Sequence, residues 1–96
     1  MKKNGPKSAK QLERYFKGVA NHRRIDILFL VAQKNGIAVE DVAGILDVNF
    51  KTVSEHIKRL AQAGLVDKNY CGRRVQHSLS PYGKRFYDFI QTFQHS

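Results

Sequence analysis

Residues 37–80 read IAVEDVAGILDVNFKTVSEHIKRLAQAGLVDKNYCGRRVQHSLS and carry the strongest signals of secondary structure in the chain. Its apolar spacing predicts a short helix over Val39–Leu46 and, after a three-residue turn, a second helix over residues 50–63. Two short strands, at residues 65–70 and 74–79, are expected to form a hairpin. A helix-turn-helix followed by such a hairpin, or wing (residues 67–79), is suited to placing one helix in a DNA groove.

The residues at the ends of the two helices support these boundaries. Asp47 tolerates the left-handed conformation that a tight turn requires. Asn49 is a favoured N-cap, and Val48 can pack against Val53 as a hydrophobic staple. Gly64 is a typical residue just past a helix end.

The remainder of the chain predicts three more helices. Ser8 and Asn21 are N-cap candidates for two helices before the quoted stretch, and Ser80 followed by proline can start a last helix after it. The fold class is therefore mainly α with a small β-hairpin, in the order α-α-α-α-β-β-α. We expect a basic mobile tail at residues 1–7 and a single domain at residues 8–96. The second helix is expected to bury Ile25, Leu28, Phe29 and Ala32.

The charge of the chain points to a polyanionic partner. The 96 residues carry 17 Lys and Arg against eight Asp and Glu, a net charge of +9. Residues 1–24 hold eight basic side chains and one acidic one, whereas residues 35–50 hold three acidic and no basic ones. Positive charge returns between residues 51 and 74, with six basic and two acidic residues. It is thus concentrated again in the predicted groove-reading helix and the wing.

Cysteine usage and hydropathy predict a cytoplasmic protein. Cys71 is the one cysteine, which excludes an internal disulfide and fits a reducing compartment. The longest apolar run, at residues 27–32, is far shorter than the ~20 residues that cross a bilayer. The basic N-terminus lacks the apolar stretch of a signal peptide.

Several segments resemble a known family. ANHRRIDILFLV at residues 20–31, VEDVAGILDVNFKTVSEHIKRLAQAGLV at 39–66 and GRRVQHSL at 72–79 resemble the ArsR-type winged-helix repressors. LSPYGKRFYDFI at 79–90 is similar to MarR- and PadR-type relatives. The resemblance covers about residues 12–90. It implies a homodimeric transcription regulator on a two-fold operator, with its first and last helices in the dimer contact.

The chain departs from this family at the positions of its metal ligands. Metal-sensing members carry a Cys pair in or near the third helix, whereas residues 39–47 contain no Cys and no His. Other members place Asp and His in the last helix, where this chain has Asp88 but no suitably spaced His. We therefore expect neither a metal nor a cofactor. Phe50 also stands where relatives often have a polar, DNA-facing residue.

The candidate DNA contacts lie on the projecting side of residues 50–63 and in the wing. Lys51 can bind guanine O6 and N7, and Glu55 can accept from cytosine N4. Arg73 and Arg74 can lie over the backbone or enter a narrow minor groove. The alternative is an ordinary solvated helix face and hairpin turn, in which Glu55 forms an ion pair with Lys58 or Arg59. The full set is Asn49, Lys51, Thr52, Ser54, Glu55, His56, Lys58, Arg59, Lys68, Arg73 and Arg74.

The first and last helices present more apolar side chains than a domain of this size is expected to cover. A large uncovered patch usually marks an interface, so we expect a homodimer contact here. The alternative is a core formed entirely within one chain. The residues concerned are Leu12, Tyr15, Phe16, Val19, Tyr82, Phe86, Phe89, Ile90 and Phe93.

Other functions have less support in the sequence. No Ser-His-Asp, Cys-His or paired-carboxylate set is readable, so no enzyme is expected. The histidines lack metal-ligand spacing. A protein-interaction winged helix without specific DNA binding is the alternative function. Cys71, close to two arginines, can act as an oxidation switch, although a lone exposed cysteine is more often incidental.

Overall fold

The computed structural model describes residues 5–96 and contains five helices and one two-stranded antiparallel sheet within them. The predicted order, α-α-α-α-β-β-α, is confirmed. No helix of this part of the chain combines the length and apolar character needed to cross a membrane. The elements are α1 (Ala9–Val19), α2 (His22–Gln33), α3 (Val39–Leu46), α4 (Phe50–Gln62), β1 (Val66–Cys71), β2 (Arg74–Leu79) and α5 (Pro81–Gln94).

Side-chain caps start α1, α2 and α5 where the sequence predicts, whereas α3 begins without one. The Ser8 hydroxyl accepts from the Gln11 backbone N–H at 3.2 Å, while Gln11 Oε1 accepts from the Ser8 N–H at 2.8 Å. Asn21 caps α2 in a similar way. Ser80, which is buried, accepts from the Gly83 N–H and donates to the Gly64 carbonyl at 2.6 Å. This last pair of bonds ties the start of α5 to the end of α4.

The core lies between α2, α4 and the base of the hairpin. Leu28 is fully buried, as expected, but Ile27 and Val31 are also buried to 1% exposure or less. The predicted stripe on α2 is therefore only partly confirmed, because three of its members, Ile25, Phe29 and Ala32, are only partly buried. The reason is that α2 contacts α1, α4, α5 and β2, so that more than one of its faces is covered.

The hairpin differs from its predicted boundaries by one residue. β1 ends at Cys71, which pairs with Arg74, so the loop is only Gly72-Arg73. Gly72 has φ 61°, the left-handed conformation that such a short loop requires. At the base, the backbone of the buried His77 exchanges hydrogen bonds with the loop before α3, donating to the Ile37 carbonyl and accepting from the Gly36 N–H. These bonds fix the wing relative to α3.

Lys7, the last residue of the predicted mobile tail, contacts α5. Lys7 Nζ donates a hydrogen bond to the Tyr82 hydroxyl at 3.1 Å and lies 4.5 Å from the centre of the same ring. The last residue of the predicted tail therefore has a contact with α5, and the mobility of the tail stays a prediction. Residues 1–4 of the tail lie outside the described residues.

Candidate nucleic-acid interface

The turn between α3 and α4 positions the candidate recognition helix. Asp47 adopts the left-handed conformation (φ 54°, ψ 49°), and the Val48 N–H donates to the Ala43 carbonyl at 3.1 Å. The Asn49 side chain then accepts from the backbone N–H groups of Lys51 and Thr52. The left-handed turn at Asp47 and the N-cap at Asn49 are both as predicted from the sequence. Because the Asn49 oxygen is used in this cap, its amide NH₂ is the group left to contact DNA.

One side of α4 is in the core and the other is open. Val53, Ile57 and Leu60 are at most 1% exposed, and their spacing anchors the helix along its length. α4 ends at Gln62, one residue before its expected end. The candidate contact residues are therefore on the outer faces. Ser54 and His56 are partly buried at the edges of this surface, and the exposed members are Lys51, Thr52, Glu55, Lys58 and Arg59.

Glu55 and Arg59 form an ion pair on the outer face of α4. Arg59 Nε lies 3.4 Å from Glu55 Oε2, and both side chains are more than half exposed. This is the pairing that the solvated-face alternative expects, and an exposed pair one helical turn apart contributes only ~0.3–0.5 kcal/mol. Such a pair can open on contact with DNA, which frees Arg59 for a phosphate.

The wing carries three exposed cations. Lys68 lies on β1, while Arg73 and Arg74 lie at the tip. Arg74 Nη2 is 3.9 Å from Asp41 Oδ2 at the start of α3. Arg74 at the wing tip thus lies beside the first turn of α3, within the helix-turn-helix unit.

A cationic cleft, which the sequence did not predict, lies between α1, α2 and α4. Its volume is about 240 Å³, and its charged lining residues are Arg14, Lys17, Arg24 and Arg59. Lys17 is paired with Glu13 at 3.0 Å. The sequence signal was the excess of basic residues in residues 1–24, but only the packing of three helices brings these side chains together.

Two nitrogen atoms next to this cleft are buried without a partner. Nδ1 of His56 and Nε of Arg24 make no hydrogen bond to any group of residues 5–96. Burial lowers the pKa of His56 below its usual value, and the positive charges of Arg24, His22 and Arg23 lower it further. This edge of α4 is therefore electropositive, and the Arg24 Nε–H is a donor that an anion can satisfy.

The first and last helices form an apolar surface. Leu12, Phe16, Phe86 and Phe89, together with Arg85, line a groove of about 240 Å³. The rings of Phe16 and Phe86 meet edge to face at 5.3 Å. Phe16, Phe89 and Phe93 are 53%, 57% and 66% exposed, and Tyr82 and Leu12 are also exposed. Phe86 and Ile90 are partly buried against the core.

Two residues predicted at the dimer contact belong to the core of the chain instead. Tyr15 and Val19 are 8% and 6% exposed. Tyr15 lies on the side of α1 that faces α5, with its ring 5.2 Å from that of Tyr82 and 6.4 Å from that of Phe86. The helical spacing could not separate this inner side of α1 from the outer side that Leu12 and Phe16 occupy.

The described residues do not fit a thiolate or histidine metal site. Within residues 5–96, no three His, Cys, Asp or Glu side chains converge. Cys71 is exposed at the wing tip, where its Sγ lies 3.7 Å from Gln76 Oε1.

The fold and this surface define a winged helix-turn-helix protein, and comparison with known proteins gives its family. The model of the "Bacterial regulatory protein, arsR family" matches residues 21–68, half of the chain. The chain therefore belongs to the ArsR family of bacterial regulatory proteins. The likeness of residues 79–90 to MarR- and PadR-type regulators stays a prediction, because the family match ends at residue 68.

Three relatives illustrate the similarity. The arsenical resistance operon repressor of Bacillus subtilis is 30% identical over 71 residues, 74% of this chain and 68% of that protein. The cadmium resistance transcriptional regulatory protein CadC of Listeria innocua is 29% identical over 63 residues, 66% of this chain but only 53% of CadC. This chain thus spans about half the length of CadC. A homodimeric winged helix-turn-helix DNA-binding domain from Mycobacterium bovis has a TM-score of 0.80 and 29% identity, over 97% of this chain and 91% of that one.

Proposed function

We propose that this protein is a sequence-specific repressor that binds double-stranded DNA as a homodimer. In this proposal the helix at residues 50–63 lies in the major groove and the wing at residues 67–79 lies on the backbone or in the minor groove. The observation that carries the proposal is the exposed outer face of α4 together with the exposed wing, on both of which the cations outnumber the acids. The relative named as the arsenical resistance operon repressor supports the direction of regulation.

Base reading is assigned to the first two turns of α4. Lys51, Ser54 and Glu55 follow the Asn49 cap directly, where a recognition helix usually reaches base edges. Lys51 is suited to guanine and Glu55 to cytosine. Thr52 and the Asn49 amide can add contacts to bases or phosphates.

Phosphate binding is assigned to cations on both sides of this helix. On one side are Lys68, Arg73 and Arg74 of the wing. On the other are Lys58 and Arg59 of α4, together with the His56 and Arg24 edge of the cationic cleft. Contacts on both flanks would fix the register of α4 in the groove without reading sequence.

The apolar surface of α1 and α5 is assigned to the homodimer contact. Exposed aromatic rings that the chain does not cover are a common sign of such an interface. The homodimer of the Mycobacterium bovis domain supports this assignment. Two copies joined here would present two recognition helices, and a two-fold operator needs them ~34 Å apart, one turn of DNA.

Selection from a pool of randomised duplexes tests the DNA-binding part. The wild-type chain should enrich a two-fold symmetric sequence, and its affinity should decline as salt is raised. Lys51→Ala should also relax the preference at one base pair per half-site, whereas Arg73→Ala should weaken all sequences equally. No enrichment, with no retention of random duplexes at moderate salt, would refute the proposal and favour a protein partner for this surface.

Sedimentation of a charged variant tests the dimer. Phe89→Glu should convert the protein from dimer to monomer, because the side chain is exposed in one chain but buried in the proposed interface. Ile45→Glu is the matched control, since Ile45 is 51% exposed on α3. A wild type that sediments as a monomer at all concentrations, or a Phe89→Glu variant that stays dimeric, would contradict this assignment.

A further inference from the structure

Phe50 is an exposed aromatic residue at the first position of α4. Its side chain is 54% exposed, and it is not among the apolar residues that pack against the core. It stacks with no other aromatic ring of residues 5–96. The fold of the chain therefore does not explain why a phenylalanine stands here.

The position of Phe50 is well fixed relative to the rest of the recognition surface. The Asn49 side chain accepts from the Lys51 N–H at 2.8 Å and from the Thr52 N–H at 3.3 Å, which defines the helix start on both sides of Phe50. Ser54 lies one turn further on the same face. Val53, buried to 1% exposure, holds this first turn on the core.

The staple of this helix does not need Phe50 either. Val48 occupies the position before the N-cap and is partly buried against the core. The phenyl ring thus projects from the turn that the proposed function places nearest to the bases. It can neither donate nor accept a conventional hydrogen bond, so it gains nothing from the polar edges of bases. The apolar group that the major groove offers is the C5 methyl of thymine.

We propose that Phe50 is a specificity-determining residue that reads a thymine in each half-site by packing on its 5-methyl group. This inference rests on the proposed DNA-binding function. It adds an apolar contact to the polar ones of Lys51 and Glu55. It also predicts that a pyrimidine position of the operator is recognised by shape and burial rather than by hydrogen bonding.

The experiment replaces single thymines of the selected synthetic duplex with uracil, which removes only the methyl group. Such duplexes contain no 5-methylcytosine, so a methyl effect comes from thymine alone. One thymine of each half-site should show a methyl effect. Replacing it with uracil in one half-site should weaken wild-type binding about fourfold, and replacing it in both half-sites about 15-fold, as expected for burial of one methyl group in each. Phe50→Ala should bind thymine and uracil duplexes equally. Phe50→Leu, which keeps an apolar side chain, should retain part of the difference.

Ile45→Ala is the control, because Ile45 is an equally exposed apolar residue of the helix-turn-helix unit. It should respond to uracil as the wild type does. Specific binding by a wild type that tolerates uracil at every position, or an unchanged uracil effect in Phe50→Ala, would overturn the role of Phe50 and leave the proposed function intact. A wild type that binds no duplex would overturn both.

Discussion

Replacing Arg73 with alanine should reduce the salt dependence of DNA binding by a definite amount. Arg73 is exposed at the two-residue tip of the wing, and its guanidinium has no ion-pair partner among residues 5–96. Its whole charge is therefore free to neutralise a phosphate. Each phosphate neutralised contributes about −0.9 to the slope of log affinity against log salt. With two copies in the proposed dimer, the slope should become less steep by about 1.8.

The neighbouring arginine should behave differently. Arg74 already lies 3.9 Å from the Asp41 carboxylate, which neutralises part of its charge. Arg74→Ala should therefore change the slope less than Arg73→Ala. For Arg73→Ala, the slope change of about 1.8 means that a fourfold rise in salt should reduce the affinity of the variant roughly tenfold less than it reduces that of the wild type.

The assay is a fluorescence-anisotropy titration of one labelled duplex at several salt concentrations. Lys34→Ala is the control, because it also removes one positive charge. Lys34 lies at the C-terminal end of α2, the opposite end of that helix from Arg24. Its slope should match that of the wild type. An Arg73→Ala slope equal to the wild-type slope, or a Lys34→Ala slope reduced as much, would refute the assignment of the wing to the DNA backbone.

Three further predictions concern stability, measured by urea unfolding. Asp47→Gly should raise the free energy of unfolding by about 0.5–1 kcal/mol, because Asp47 is held at a positive φ; a loss of stability would contradict this turn geometry. Gly83→Ala should lower it by about 1–3 kcal/mol or more, since a Cβ would collide with the Leu65 carbonyl oxygen. Its control, Gly44→Ala, meets no atom within 4 Å and should stabilise α3 by about 0.5–1 kcal/mol; equal effects of the two changes would be inconsistent with the close packing of α5. The pKa of His56 is lowered in the folded state, so the unfolded state binds more protons at this residue as the pH falls. The free energy of unfolding should therefore keep its full value above pH ~6.5 and decline as the pH falls towards the folded pKa. His56→Gln should therefore lose less stability than the wild type between pH 7 and 5, and identical pH profiles would contradict the burial of this ring.

The helix-turn-helix and the wing were predictable because local chemistry encodes them. Asn49 caps α4 by bonding to residues two and three positions along the chain, and Asp47 and Gly72 supply left-handed turns at single positions. Such signals act over a few residues and can be read in sequence order.

Features that depend on distant packing were predicted less well. Helical spacing gave the apolar residues of α1 but could not show that Tyr15 packs inside the chain while Phe16 stays exposed. The cationic cleft is another example, because Arg14, Arg24 and Arg59 come from three different helices. The burial of Tyr15 and the position of the cleft both depend on which helices pack against each other. The spacing of residues within one helix does not contain this information.

A chemical-shift titration with the selected duplex shows which residues of the chain contact DNA. In the 11.0 kDa chain labelled with ¹⁵N, the account predicts that the largest amide shifts fall on residues 49–59 and 72–74, with smaller ones at the start of α2. Shifts restricted to the outer faces of α1 and α5, with residues 49–59 unchanged, would contradict the claim that α4 and the wing together meet DNA.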